Sequence, residues 1–230
     1  MNSKHSIETV TGKYVDIADP KPEMIDVIDI SWGLSSEPRF SGQTRTTLPY
    51  SVGQHSMVVA NFMRRLFVRG DPLRANAIEY FVEKQEHSIA DFLVNCPFEV
   101  CPKVFIRGAL FHDASEAYLR DIPTPIKNLP GLKEEYHKVE DRLTTAINKK
   151  LELDPETNVL MAKYAEQYHS LLHYVDVYAR VIEAYHMMKS RGLSWGCDVR
   201  PENSDLMAFK GPLPASEVNE KFLATIELVI

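Results

Sequence analysis

Residues 111–127 read FHDASEAYLRDIPTPIK. The apolar spacing leading into them predicts a helix over 104–117 that carries an adjacent His112-Asp113 pair. Imidazole and carboxylate are common ligands of divalent metals, and two of them inside an apolar stripe are costly unless something pairs them. Glu116 follows Asp113 by three residues and His112 by four, which puts it on the same face of such a helix. Asp121 comes next, then Pro123 and Pro125, which stop a helix and stiffen the chain that leaves it. One histidine and three carboxylates so close together read as part of a site. The remaining ligands must come from elsewhere in the chain.

Upstream, the pattern predicts a helix over 54–67, where His55, Val59, Phe62 and Leu66 fall on one stripe of a 3.6-residue period. A lone histidine on such a stripe is ordinarily a core residue bonded to a carbonyl. The preceding stretch, 35–54, has the Gly, Pro, Ser and Thr density of a loop and contains Arg39, Phe40, Arg45 and Tyr50. Its place directly before a histidine-bearing helix points to substrate contact. Further back, Pro22 opens a helical pattern over 24–34, and 6–18 form a candidate hairpin around Thr11-Gly12. A helical segment over 71–94 begins at Asp71-Pro72, with His87 on a polar face. Cys96 and Cys101 form a Cys-x4-Cys pair, but nothing nearby completes a zinc site.

Downstream, 132–151 is amphipathic, with a stripe of Tyr136, Val139, Leu143, Ile147 and Leu151. Residues 158–190 are helix-compatible throughout, with a break allowed. The chain is then loop-like until a short terminal helix over 216–228. The expected fold is all-α, with a minor N-terminal hairpin and a C-terminal extension over 191–230. A single domain spans 1–230, with its core over about 22–190.

The 230 residues, 44% apolar and 25% charged, are ordinary for one soluble domain. A net charge of −6 gives no electrostatic reason to expect polymeric nucleic acid as a partner. No segment has the apolar length of a signal peptide or of a membrane span, which takes roughly 18 to 20 residues. An odd count of three cysteines points to reduced thiols and a cytoplasmic setting, with no membrane partner.

Two constellations compete for the missing ligands. His169, His173 and Asp176 share one helix face at i, i+4 and i+7. The rival takes Asp176 alone and joins it to His55 and His112-Asp113. Two imidazoles and two carboxylates suit a divalent ion, and the donor set does not separate Mn, Co, Fe, Ni, Zn and Mg.

The second constellation, in an all-helical chain, resembles the HD-domain metal-dependent phosphohydrolases. The run HDASEAYLRDIPTPIK is similar to a segment of their bacterial 5′-deoxynucleotidase branch and its phage-encoded relatives. TGKYVDIADP and PRFSGQTR…YSVGQHS resemble the phage-encoded members, so the likeness covers about 8–190. It implies that His55, His112, Asp113 and Asp176 ligate a divalent metal. Glu116 would orient or deprotonate the attacking water, and Asp121 would assist near the scissile phosphate or the sugar. Arg39 and Phe40 would face deoxyribose and base, while Arg45 and Lys127 are the nearest cations for phosphate oxygens. The stretch between His55 and the HD pair is longer than in the compact bacterial enzymes, chiefly over 69–103.

The implied reaction is hydrolysis of deoxynucleoside monophosphates to release phosphate. A deoxynucleoside triphosphate triphosphohydrolase, acting for example on dATP, is the alternative, and a non-catalytic nucleotide-binding module a third. Triphosphate would need more positive charge around the pocket than the sequence offers, which favours the monophosphate. The resemblance also implies a homo-oligomer. His169 and His173 are left with neighbouring hydrogen-bonding, phosphate-contacting or plain structural roles.

Overall fold

Ser51 accepts a hydrogen bond from the Gln54 amide (3.2 Å) and so caps the helix on which the molecule is assembled, α2 (Val52–Leu66). His55, Val59, Phe62 and Leu66 are all buried along it, as their spacing predicts. This is a computed structural model, and it describes residues 4–96 and 102–229.

In chain order the elements are a hairpin of β1 (Ser6–Glu8) and β2 (Tyr14–Asp16), then α1 (Val27–Ser36), α2, α3 (Pro72–Glu83) and α4 (His87–Asn95). They are followed by α5 (Pro102–Leu110), α6 (Glu116–Leu119), α7 (Thr124–Lys127), α8 (Lys133–Lys150) and α9 (Val159–Lys163). The long α10 (Ala165–Met187), α11 (Asn203–Ala208) and α12 (Ala215–Val229) complete the order. The expected all-α fold with a minor hairpin is what the chain adopts. The hairpin pairs Ile7 with Val15 and is anchored on α1, where Asp29 accepts from the Thr11 amide and hydroxyl at 2.9 Å each.

Around α2 pack α1, α5, α10, α12 and α3. Two glycines permit close helix approaches that position the site. A Cβ on Gly53 would stand 3.0 Å from the Ser35 amide nitrogen, where α2 crosses α1. One on Gly33 would stand 2.7 Å from the Ala117 Cβ, where α1 meets α6. These contacts bring the start of α2 and the residues after α5 to one end of the bundle.

Several boundaries differ from the sequence expectations. The helix predicted over 104–117 stops at Leu110, and α6 begins at Glu116. Across the gap the backbone tightens into i→i−3 bonds, Ala114 to Phe111 (3.0 Å) and Glu116 to Asp113 (2.9 Å). His112 contributes to the tightening, its Nδ1–H donating to the Ala109 carbonyl at 2.8 Å. Glu116 is therefore not on one continuous helical face with His112 and Asp113. Pro123 ends the extended exit, whereas Pro125 lies in the first turn of α7 and starts a helix instead of stopping one.

The 71–94 segment is two helices, parted at Gln85, whose φ of 63° no α-helix accommodates. The first helix begins at Val27, after a short 3-10 turn at Pro22–Met24. Tyr164 separates α9 from α10, and α11 adds a short helix within the stretch expected to be loop. Cys101 lies outside the described residues. Among the described residues, no helix is long and apolar enough to cross a membrane.

Candidate metal centre

His55 stands in the first turn of α2 and is fully buried. Its Nδ1–H donates to Glu183 Oε1 at 2.7 Å, so the other ring nitrogen is the one turned into the site. That Nε2 lies 3.1 Å from Asp176 Oδ1 and 3.8 Å from Asp113 Oδ2, but it has no hydrogen-bonded partner. His112 repeats the arrangement. Its Nδ1–H is taken by the Ala109 carbonyl, while Nε2 is buried without a hydrogen bond, 3.1 Å from Asp113 Oδ2. Donor atoms of His55, His112 and Asp113 all lie within 4.8 Å of one another. Two imidazoles with the remote nitrogen satisfied and the near one unsatisfied, facing carboxylates, match a divalent-metal shell in donor type and orientation. These residues could hold a metal ion.

Charge distribution agrees. Burial alone would raise Asp113, but His112, His55 and Arg39 hold its carboxyl down at about 2. Asp176 is likewise held well below the usual carboxylate range, with burial opposing and His55 and Arg39 among the causes. Burial and Arg39 disfavour a proton on His55, yet Glu183 and Asp176 raise it to about 9.

Glu116 is buried, and its Oε2 has no hydrogen-bonded partner. Burial first, then Asp113 and Asp121, push its carboxyl up to about 10, so it holds a proton at neutral pH in this arrangement. Lys127 Nζ stands 3.8 Å from Glu116 Oε1 and 3.0 Å from Glu140 Oε1. Asp121 is raised by burial, with Arg39 opposing. Its backbone is fixed by the buried Glu37, whose Oε1 accepts from the Asp121 amide at 3.1 Å while Oε2 pairs with Arg120 at 2.6 Å. The turn into Asp121 uses a left-handed Arg120, φ 72°.

The loop between α1 and α2 is closed by a β-bridge between Pro38 and Ser51 and by the Arg39 amide donating to the Tyr50 carbonyl at 2.8 Å. Arg39 then points inward. Nη1 donates to Asp113 Oδ2 at 3.5 Å, and Nε lies 3.3 Å from Glu183 Oε2. Phe40 and Ser41 both take positive φ (55° and 52°) and carry the Phe40 ring to within 5.8 Å of Trp195. The Arg39 guanidinium is 5.5 Å from the Phe40 centroid.

Of the sequence candidates, the structure thus brings together His55, His112, Asp113 and Asp176, with Glu116, Asp121, Arg39, Phe40 and Lys127 around them. Arg45 is exposed, tied to the end of α10 through its backbone amide and the Met187 carbonyl (2.9 Å). His169 and His173 are also exposed, and neither belongs to the metal-capable group. The competing constellation does not form, because only Asp176 of the three turns toward α2.

Glu183, Glu37 and Trp195 were not singled out by the sequence reading, and Tyr50 was placed in the substrate-contact loop without its partner Glu183. Glu183 had a signal: it is two turns after Asp176 on the same face, an acid within the apolar run VIEAY. Glu37 also had one, since an acid at the C-terminal cap of α1 opposes the helix dipole unless it binds something else.

Residues 93–192 match a protein-family model described as 5′-deoxynucleotidase YfbR-like. An uncharacterized protein of Rhodobacter capsulatus is 30% identical over 139 residues, 60% of this chain and 54% of that one. The uncharacterized protein YfdR of Escherichia coli is 36% identical over 80 residues, 35% of this chain and 42% of that one. The matches thus span about half the length of these relatives. Over residues 93–192, which include every motif from His112 to Asp176, this chain resembles the HD-domain phosphohydrolases of the YfbR-like 5′-deoxynucleotidase family.

Proposed function

We propose that the chain is a divalent-metal-dependent phosphohydrolase that releases phosphate from deoxynucleoside 5′-monophosphates. The observation that carries this reading is the convergence of two buried, unsatisfied imidazole Nε2 atoms on Asp113 beside Asp176. His55, His112, Asp113 and Asp176 are the proposed ligands. When bound, a divalent ion supplies an activated nucleophile and polarises the phosphoryl oxygens.

The chain's own groups divide the remaining tasks. Glu116 handles the proton: its carboxyl holds one at neutral pH here, and a cation arriving beside Asp113 favours releasing it. Arg39, anchored by Asp113 and Glu183, and Lys127, anchored by Glu140, offer donors to phosphate oxygens. Asp121, its backbone pinned by Glu37, suits contact with the sugar or the leaving oxygen. The Phe40 ring offers an aromatic face for a base.

Both cations that pair with the cluster are already matched by acids. One phosphate fits that balance better than a triphosphate. The description of the matching family, a 5′-deoxynucleotidase, supports the same choice.

The test is a product analysis of purified protein supplied with manganese(II) or cobalt(II) and offered deoxyribo- and ribonucleoside mono- and triphosphates. Inorganic phosphate from the deoxynucleoside monophosphates is expected. Triphosphate released from deoxynucleoside triphosphates would overturn the substrate assignment. Metal binding without any hydrolysis would overturn the catalytic one in favour of a binding module.

A further inference from the structure

Glu183 is fully buried in the interior of α10, two turns beyond Asp176. Three groups meet its carboxylate: His55 Nδ1 at 2.7 Å, the Tyr50 hydroxyl at 2.9 Å and Arg39 Nε at 3.3 Å. Burying a carboxylate costs several kcal/mol, and a purely structural buried ion pair is often replaced by apolar side chains without loss. Here each partner belongs either to the metal-capable cluster or to the loop that covers it. His55 is the candidate ligand with no backbone carbonyl on its Nδ1, so its ring is oriented by Glu183 where His112 uses Ala109. Arg39 spans the two carboxylates, reaching Glu183 with Nε and Asp113 with Nη1.

We infer that Glu183 is a positioning residue: it fixes the His55 ring with Nε2 toward the metal position and ties the Arg39–Tyr50 loop to the same point. A carboxylate accepting Nδ1–H holds the imidazole in the tautomer whose Nε2 lone pair is free, and it raises that nitrogen's basicity. A neutral amide at position 183 can still accept from His55 and Tyr50 through its oxygen, but it removes the charge that strengthens the His55 bond and places an N–H group where the carboxylate oxygen faces Arg39 Nε.

This inference rests on the metal assignment above, and the experiment separates the two. Manganese(II) is titrated calorimetrically into the metal-free wild-type chain and into Glu183→Gln, Glu183→Asp, Tyr50→Phe and Asp113→Ala, with melting temperatures recorded in parallel. Glu183→Gln is expected to weaken binding by about 10- to 100-fold. Glu183→Asp, which keeps the charge, should recover part of that loss. Tyr50→Phe, which leaves the His55 contact in place, should shift affinity by less than about tenfold.

In the diamagnetic zinc-loaded protein, the wild type should show a downfield His55 Nδ1–H proton that shifts or disappears in Glu183→Gln. A general packing defect would lower the melting temperature without that signature. If Asp113→Ala loses manganese while both Glu183 variants bind it like the wild type, the inference is overturned and the metal site stands. Undiminished binding by Asp113→Ala overturns the metal assignment itself.

Discussion

Glu116 shows how burial and charge set one side chain's chemistry. Placed among Asp113, Asp121 and the apolar wall, its carboxyl takes up a proton rather than add a third negative charge. Glutamine matches the shape of that neutral carboxyl but cannot pass on a proton. Glu116→Gln is therefore expected to keep its fold and metal affinity while phosphate release falls by about 10²- to 10⁴-fold. A steady-state rate within a few-fold of wild type would remove Glu116 from the proton-handling position. At this scale the sequence was informative wherever a ligand-type residue interrupted an apolar stripe, as His55 and Asp176 do. It placed Tyr50 in the loop expected to contact substrate but was silent on its partner, Glu183, which lies far along the chain. That contact exists only once the loop closes over α10.

Among the elements, the departure with chemical consequence is the break between α5 and α6. Nothing in ALFHDASEA is a glycine or proline, so periodicity ran straight through it. The helix ends because His112 takes the Ala109 carbonyl with its side chain, a local competitor that residue spacing does not reveal. The resulting turn lets α6 settle against Gly33 of α1, and α6 begins with Glu116. Gly33→Ala would drive a methyl to 2.7 Å from the Ala117 Cβ, with Ala117 backbone atoms at 2.9 Å. The expected cost is about 1–3 kcal/mol in urea denaturation, together with slower phosphate release because Glu116 moves. Unchanged stability would mean that the α1–α6 contact is looser than described. By contrast, the helix bearing His55 was legible from its stripe of four buried residues, although it starts at Val52, behind the Ser51 cap, two residues before the expected start.

Across the whole molecule, the segment after α10 is clasped back onto the bundle. Arg65 of α2 donates to both oxygens of Asp71 at 2.8 Å each and to Asp205 of α11 at 2.6 Å, and Tyr178 also donates to Asp205 at 2.6 Å. The Arg65 bond holds the Asp71 carboxyl below its ordinary value. A carboxyl lowered on folding adds stability above its unfolded pKa of about 3.9, and that stability is lost as pH falls through the folded value. Asp71→Asn should thus be less stable than wild type near pH 7, by on the order of 1 kcal/mol. The difference should close as pH falls through the folded value. Urea midpoints measured across this range check it, and a gap that persists in acid would contradict it. The clasp could not be read from the sequence, because its partners lie on segments whose packing no local pattern encodes.

The central claim is that residues from three distant parts of the chain form one metal centre, and Asp176, the most remote contributor, tests it most directly. Equilibrium dialysis of wild type and Asp176→Asn against manganese(II) makes the measurement. The account predicts one ion per wild-type chain and binding weakened by at least about tenfold in the variant. An Asp176→Asn protein that binds the ion as tightly and in the same ratio as wild type would contradict it.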